Sequence, residues 1–253
     1  MPWPWNDRTV LIDAELATLL PPLQSSDGVP GQPRRCRHHG KPAEALAMLL
    51  GGVQRRRPAW RNRARVLLGY PWAHSQLLPW QDGLSGQRAQ WRAYAQGLLR
   101  ERGVGGELDI RLAPAAYGAA RLAFAAHAPL LADLRAAARA AGWRLAGCRD
   151  LLSSCLQAHP RASASGGLVL AEAGAVTCLW RGEGGWEELL TLALAPGQSA
   201  AEGVAAAEAL CGREPGGDYD WSATQGPTQQ PLAARARWLG FPHPLLASQP
   251  CAA

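Results

Sequence analysis

The sequence predicts an α/β protein with mixed sheets, and three observations lead to this fold class. Strand-like runs alternate with amphipathic helical segments over residues 9–157, a succession typical of α/β proteins. Three more strand-like runs, joined by tight glycine turns, follow in residues 167–193. The chain has 253 residues and is 47% hydrophobic, which is enough for a large core in one domain or two closely joined subdomains.

Hydrophobic periodicity places the elements of the first 157 residues. Apolar residues recur at helical spacing in 42–54 and 87–99, whereas apolar and polar residues alternate in 108–112. The predicted elements are one or two strands in 9–20, a loop in 24–33, a helix in 42–54, a strand in 65–68 and its hairpin partner in 76–80, a helix in 87–99, strands in 108–112 and 121–126, a helix from Pro129, a strand in 143–148 and a helix in 150–157.

The composition changes twice in the rest of the chain. Residues 159–167 form a small-residue linker, and a helix is predicted in 199–211 after the three strands. From Gly212 onward Pro, Gly and Gln dominate, which favours disorder around one short helix in 233–239. The predicted divisions are 1–64 (first strands and helix), 65–158 (inserted subdomain and the remainder of the first half), 159–211 (a truncated second half) and 212–253 (a tail).

Positive charge is concentrated between Arg34 and Arg65. This stretch has nine arginines and Lys41 against one acid, Glu44, while the whole chain has a net charge of +6. Two interpretations remain open: a solvated loop and helix face, or a surface that binds phosphates or an anionic partner. Since no nucleic-acid-binding motif is present, nucleic acid is not an expected partner.

Cysteine usage and hydropathy indicate the compartment. The six cysteines form no CxxC pair, and their spacing does not suggest a disulfide framework. The N-terminus lacks a signal-peptide pattern, and no apolar run approaches the roughly 20 residues of a membrane helix. We therefore expect a cytoplasmic protein that does not insert into a membrane, held peripherally at the inner membrane, if at all, by a partner.

The sequence predicts neither catalytic nor metal-binding residues. Cys36, His38 and His39 are close in sequence, but Arg37 lies among them and no matching ligand pair is near. A phosphate-binding loop, a dinucleotide fingerprint and an HExxH motif are all missing from the sequence, and the serines have no nucleophile-elbow context.

Two of the eleven tryptophans, Trp72 and Trp80, flank a proline-containing turn. Exposed aromatic side chains in such a setting often form a peptide-binding surface. Core packing is the alternative, and the sequence leaves both open.

Three segments carry a resemblance to a known family. They are TVLIDAELATLL (9–20), YGAARLAFAAHAPLLADLRAAARAAGWRLAGCRDLL (117–152) and GGLVLAEAGAVTCLWRGEGGWEELLTLAL (166–194). Their order resembles the actin-like ATPase fold in its bacterial branch, the PilM-type proteins of type IV pilus assembly and the GspL-type cytoplasmic domains of type II secretion. Covering about residues 8–211, the resemblance implies an actin-like (ribonuclease H-like) fold with two mixed-sheet halves and a small inserted α/β subdomain.

The resemblance also implies where a nucleotide would bind. Active members hold the phosphates and magnesium between two hairpin turns, each with an aspartate and a glycine. The first turn usually reads Asp-x-Gly, and here it reads Asp13-Ala14-Glu15; the second reads Glu172-Ala173-Gly174. Asp13, Glu172 and Gly174 are thus the candidate residues for ATP and magnesium, and the departures from the family pattern argue against hydrolysis.

Three functions follow as expectations. The first is a non-enzymatic scaffold of a type IV pilus or type II secretion-like assembly, which recruits the cytoplasmic tail of an inner-membrane partner to a groove beside residues 65–152, with Trp72 and Trp80 as anchors. The second is a nucleotide-binding ATPase that uses Asp13 and Glu172. The third and weakest is binding of nucleic acid or anionic lipid by the stretch from Arg34 to Arg65, which would depend steeply on salt.

Overall fold

The computed structural model describes residues 5–21, 33–84, 87–160, 166–225 and 235–247. The first half begins with β1 (Asn6–Ile12), β2 (Leu16–Leu20), β3 (Arg34–Arg37), α1 (Pro42–Gly51) and β4 (Asn62–Leu68). An insertion follows with β5 (His74–Leu78), α2 (Arg88–Glu101), β6 (Leu108–Leu112) and β7 (Arg121–His127). The first half ends with α3 (Ala128–Ala140), β8 (Arg144–Asp150) and α4 (Leu151–Ala158).

The second half repeats the beginning of the first. It contains β9 (Gly167–Glu172), β10 (Ala175–Gly182), β11 (Gly185–Ala193), α5 (Ala200–Leu210), β12 (Tyr219–Ala223), β13 (Ala236–Gly240) and a 3-10 turn (Pro244–Leu246). The two large sheets have the orders β3-β2-β1-β4-β8 and β11-β10-β9-β12-β13. In each sheet an antiparallel three-strand meander continues into two parallel strands, so the two halves have the same topology.

The inserted elements form a separate antiparallel sheet with the order β5-β7-β6. Helix α2 packs on one face of this sheet through Trp91, Ala95 and Leu99, all buried. The opposite face carries Leu77, Leu122 and Phe124 into the core shared with the second half. The insertion is therefore a small α/β unit with a core of its own, fixed to both halves.

Side chains alternate between the two faces of the first sheet, so successive residues of one strand belong to different hydrophobic cores. In β4, Val66 and Leu68 face α1 and α3, whereas Leu67 faces α4 and the second sheet. A third core lies between the second sheet and α5. The first sheet buries residues on both faces at the ends of its central strands, so β1 and β4 each close with a continuous apolar run, residues 10–12 and 66–68.

Local sequence signals explain several helix starts. Asp150 accepts the Ser153 N–H at 2.6 Å and caps α4, and Ser199 and Glu202 form a complete capping box before α5. Pro129 lies in the first turn of α3, where its missing N–H removes no helical hydrogen bond.

The predicted hairpin between 65–68 and 76–80 is wrong. The Gly69 N–H donates to the Ile12 carbonyl at 2.8 Å, and the Trp72 and Ala73 N–H groups donate to the Gly69 carbonyl at 2.9 and 3.2 Å. These bonds turn the chain away from the first sheet directly after β4. As a result β5 pairs with β7 in the small sheet.

The segment after Gly212 also differs from the prediction. β12 pairs with β9, and β13 pairs with β12, so this segment completes the second sheet. The short helix predicted in 233–239 is wrong, because Ala236–Gly240 is a strand. Pairing to a preformed sheet overrides the composition there. Most of the loop predicted in 24–33 lies outside the described residues.

In the helices of the described ranges, no segment has both the length and the apolar character needed to cross a membrane. The cysteines at 36, 148, 155, 178 and 211 are free thiols.

Candidate functional site

The first candidate turn lies between β1 and β2 and is closed by its own aspartate. One carboxylate oxygen of Asp13 accepts the N–H groups of Glu15 at 2.9 Å and Leu16 at 2.7 Å. The Asp13 carbonyl accepts the indole N–H of Trp72 at 2.6 Å and lies 3.0 Å from Nε2 of His38. The backbone donors that would face a phosphate in such a turn are thus already bound to Asp13.

The second candidate turn lies between β9 and β10 and sends a carboxylate into the opposite half. Oε2 of Glu172 accepts the Tyr70 N–H at 2.8 Å. A Cβ at Gly69 would lie 2.4 Å from the same oxygen, so the carboxylate fits there only because residue 69 is glycine. Gly174 has a positive φ of 81° and faces open space, which suits a tight β-turn.

Glu172 is partly buried as a residue, and burial of its carboxyl at the junction raises its pKa from 4.5 to about 7. The neighbouring negative charges of Asp150 and Asp13 raise the pKa further, while the hydrogen bond from Tyr70 opposes them. Burial also raises the pKa of Asp150, the cap of α4. Asp13 and Asp150 therefore lie near enough to Glu172 for their charges to raise its pKa, and Asp150 is a residue of this junction that the sequence analysis missed.

The space enclosed at this junction is small. A cavity of about 20 Å³ lies among Gly69, Tyr70, Asp150 and Glu172, which is close to the room that one water molecule requires. Across the part of the chain that the structure describes, no group of three or more His, Cys, Asp or Glu side chains is placed to hold a metal ion. Nucleotide binding here would require the halves to separate and the Glu172 contact to break.

The two candidate anchor tryptophans are half-buried and lie in different cores. Trp72 packs against the first half, with its ring centroid 5.4 Å from that of His38. Trp80 packs in the insertion, with its ring centroid 4.7 Å from that of Tyr117, and its N–H donates to Asp82 at 2.7 Å. They are not brought together on one surface.

We expect Trp72→Phe to destabilise the protein by about 1 kcal/mol, because a smaller aromatic ring remains but the hydrogen bond to the Asp13 carbonyl is lost. Urea unfolding followed by circular dichroism measures this. Trp60→Phe is the matched control, since Trp60 is 54% exposed. Equal midpoints for the two variants would show that the Trp72 hydrogen bond contributes nothing.

A larger groove lies beside the junction, between β6 and β8. These are the edge strands of the small sheet and of the first sheet, and the groove has a volume of about 430 Å³. Most of its walls are apolar and come from Leu68, Ala113, Phe124, Ala126 and Leu131. Charged and amide side chains line the rest: Asp109, Arg111, Arg149 and Gln157.

Arg111 spans this groove. Its Nη1 donates to the Cys148 carbonyl of β8 at 2.7 Å, and its Nη2 lies 3.7 Å from Asp109. The Arg111 side chain of β6 thus donates to the Cys148 carbonyl, an acceptor that a strand added to the edge of β8 would otherwise use. The alternation of β6 predicted that Arg111 points away from Ile110, but not that it reaches β8.

Comparisons with known proteins place this architecture. Neither a protein-family model nor a curated protein sequence matches the chain. Among solved structures, a protein from Bacteroides thetaiotaomicron with an actin-like ATPase fold and unknown function aligns with a TM-score of 0.56 at 5% identity, over 92% of this chain and 90% of that one. The chain has the actin-like ATPase fold.

A second actin-like structure aligns over nearly the whole chain. It is the cytoplasmic domain of EpsL, an inner membrane component of the type II secretion system of Vibrio cholerae, with a TM-score of 0.56 and 13% identity over 96% of this chain and 91% of that one. The PilM–PilN type IV pilus biogenesis complex aligns with a TM-score of 0.48 and 14% identity over 76% of this chain and 63% of that one. The predicted fold class, with two mixed-sheet halves, is confirmed.

Proposed function

We propose that this actin-like protein is a non-enzymatic scaffold of a type II secretion or type IV pilus-like assembly, which binds the cytoplasmic tail of an inner-membrane partner in the groove between β6 and β8. The observation that carries the proposal is the closed junction, in which Glu172 binds the Tyr70 N–H within a cavity of about 20 Å³. The likeness to the EpsL cytoplasmic domain supports the choice of assembly.

Electrostatics at the junction disfavour a nucleotide. A phosphate placed between the turns would lie near the carboxyl groups of Asp13, Asp150 and Glu172. The backbone N–H groups of Glu15 and Leu16 could not offset this repulsion, because they already donate to Asp13. Like charges at short distance in a buried setting are costly.

The groove, by contrast, suits an extended peptide. An edge strand offers a row of backbone donors and acceptors to an added strand, and flanking apolar pockets select its side chains. Here two edge strands border one groove, with Phe124 and Leu131 as apolar walls and Arg111 as a charged group that an acidic peptide residue could bind.

Groove filling tests the binding site. Ala113 lines the groove, whereas Ala116 is an exposed residue a few positions further along the same chain segment. We expect Ala113→Trp to weaken peptide binding at least tenfold and Ala116→Trp to leave it unchanged. The measurement is fluorescence anisotropy with synthetic peptides that cover the cytoplasmic segments of the inner-membrane pilus and secretion proteins of the source organism.

A calorimetric titration with Mg-ATP separates the scaffold from the ATPase. The scaffold predicts no saturable heat. Saturable, magnesium-dependent binding that Asp13→Asn abolishes would instead establish the nucleotide-binding alternative with Asp13 and Glu172. If no peptide binds, or if Ala113→Trp and Ala116→Trp bind the peptide equally well, the groove is not the peptide-binding site.

A further inference from the structure

A third cavity lies on the opposite side of the first sheet from α1 and α3. Because side chains alternate along β4, Val66 and Leu68 face those helices while Arg63 and Arg65 face the other way. The cavity has a volume of about 590 Å³. Its walls come from β1, β4, β8 and α4 of the first half, and from His243 and Pro244 of the second.

Positive charge dominates this cavity. Arg63, Arg65 and Arg149 all line it. Arg63 and Arg65 share the carboxylate of Asp7, whose oxygens lie 3.6 Å from Nε of Arg63 and 3.5 Å from Nη2 of Arg65. Arg149 donates instead to the neutral side chain of Gln157. Three arginines thus line the cavity, and two of them share one carboxylate.

His243 supplies a further donor. Its Nδ1 accepts the Leu245 N–H at 3.2 Å, which places the ring hydrogen on Nε2. Burial lowers the pKa of His243, and the charges of Arg65 and Arg149 lower it further. The neutral ring therefore contributes an N–H donor at the wall formed by the second half.

We propose that this cavity binds a small organic phosphate. Guanidinium groups bind phosphate through paired N–H donors and stay charged at any physiological pH. A volume of about 590 Å³ lies within the range of small-molecule sites. Leu67, Ala158 and Pro244 give part of the wall an apolar character for the organic portion.

A bound phosphate would connect the two halves. Arg63, Arg65 and Arg149 belong to the first half and His243 to the second, so one anion contacts both. The lining of this cavity shares no residue with that of the junction cavity, and phosphate binding here does not depend on the proposed scaffold function.

The structure also divides the basic stretch recognised in the sequence. Arg34 lies on the edge strand β3 and donates to the Gly52 carbonyl at 2.8 Å. Arg63 and Arg65 lie on β4, inside the sheet. Two members of the stretch therefore enter a concave site, which favours a small anion over an extended polyanion.

The test is calorimetric and thermal-shift titration of the full chain with pyrophosphate at constant ionic strength, which keeps general screening fixed. We expect saturable binding and a rising melting temperature for the native chain, because a ligand that binds only the folded state stabilises it. Arg65→Gln should weaken binding at least tenfold. Arg139→Gln, an exposed arginine on α3, should bind as the native chain does.

Three results would overturn the proposal. Equal binding by the Arg65 and Arg139 variants would indicate diffuse attraction by net charge. A lower melting temperature for Arg65→Gln, with no pyrophosphate binding by the native chain, would assign Arg65 to neutralising the carboxyl end of α4. Arg65-dependent sedimentation with phosphatidylglycerol vesicles, without pyrophosphate binding, would assign the arginines to a membrane surface.

Discussion

Replacing Glu172 by glutamine is expected to stabilise the protein by about 3 kcal/mol at pH 8 and to remove a pH dependence of its stability. The pKa of Glu172 rises from 4.5 to about 7 on burial, and about 1.4 kcal/mol per pKa unit gives this figure. Between pH 4.5 and 7 the folded chain keeps a proton that the unfolded chain has released. The native protein therefore loses stability as pH rises through this window, and the loss is complete above it.

Glutamine carries no such proton, and its carbonyl oxygen can still accept the Tyr70 N–H. Urea unfolding of both proteins at pH 5, 6, 7 and 8 measures the difference between their slopes. Glu183→Gln, in the exposed turn between β10 and β11, is the control for removal of one negative charge. An unchanged pH slope in Glu172→Gln would mean that this carboxyl is not buried at the junction.

The second large effect is expected for Trp91→Ala, which should cost about 3–5 kcal/mol. Trp91 is 1% exposed at the centre of the insertion. Its ring lies 4.9 Å from the Arg121 guanidinium, 5.8 Å from Trp80 and 6.1 Å from Tyr94. The truncation leaves a cavity and removes the partner of a buried cation–π contact.

Thermal and urea unfolding measure this loss, with Met48→Ala as the control. Met48 is an apolar side chain of α1 that is 61% exposed, so its truncation should change stability by less than about 0.5 kcal/mol. Because β6 and β7 help to form the groove proposed to bind a peptide, Trp91→Ala should also weaken peptide binding if that proposal holds. Equal stabilities of the two variants would contradict the packing of α2 on the small sheet.

Periodicity predicted most elements because their apolar residues face well-defined cores. Residues 108–112 alternate and form β6, and the three runs in 167–193 form β9, β10 and β11. The hairpin pairing predicted for the strand in 76–80 and the helix predicted in 233–239 were wrong, because the pairing partner decides the structure there. β5 pairs with β7 and β13 with β12, and local sequence carries little information on either choice.

For the candidate site, the sequence predicted the two turns but not the contacts between them. The turns that contain Asp13 and Glu172 follow from the resemblance to actin-like proteins. The bond from Tyr70 to Glu172 joins residues 102 positions apart, and neither segment indicates the other. The approach of Asp150 to Glu172 likewise depends on how the halves pack. Closure of the junction is thus a tertiary property that becomes visible only in the folded chain.

The hydrogen bond from Arg111 to the Cys148 carbonyl also affects how readily the free protein aggregates. An open sheet edge invites pairing with another copy of the same chain and, from there, aggregation. A charged side chain laid across β8 blocks that route, because a second copy would have to remove the guanidinium without replacing its interactions. The Arg111 contact therefore opposes edge-to-edge pairing of two copies of the chain at β8.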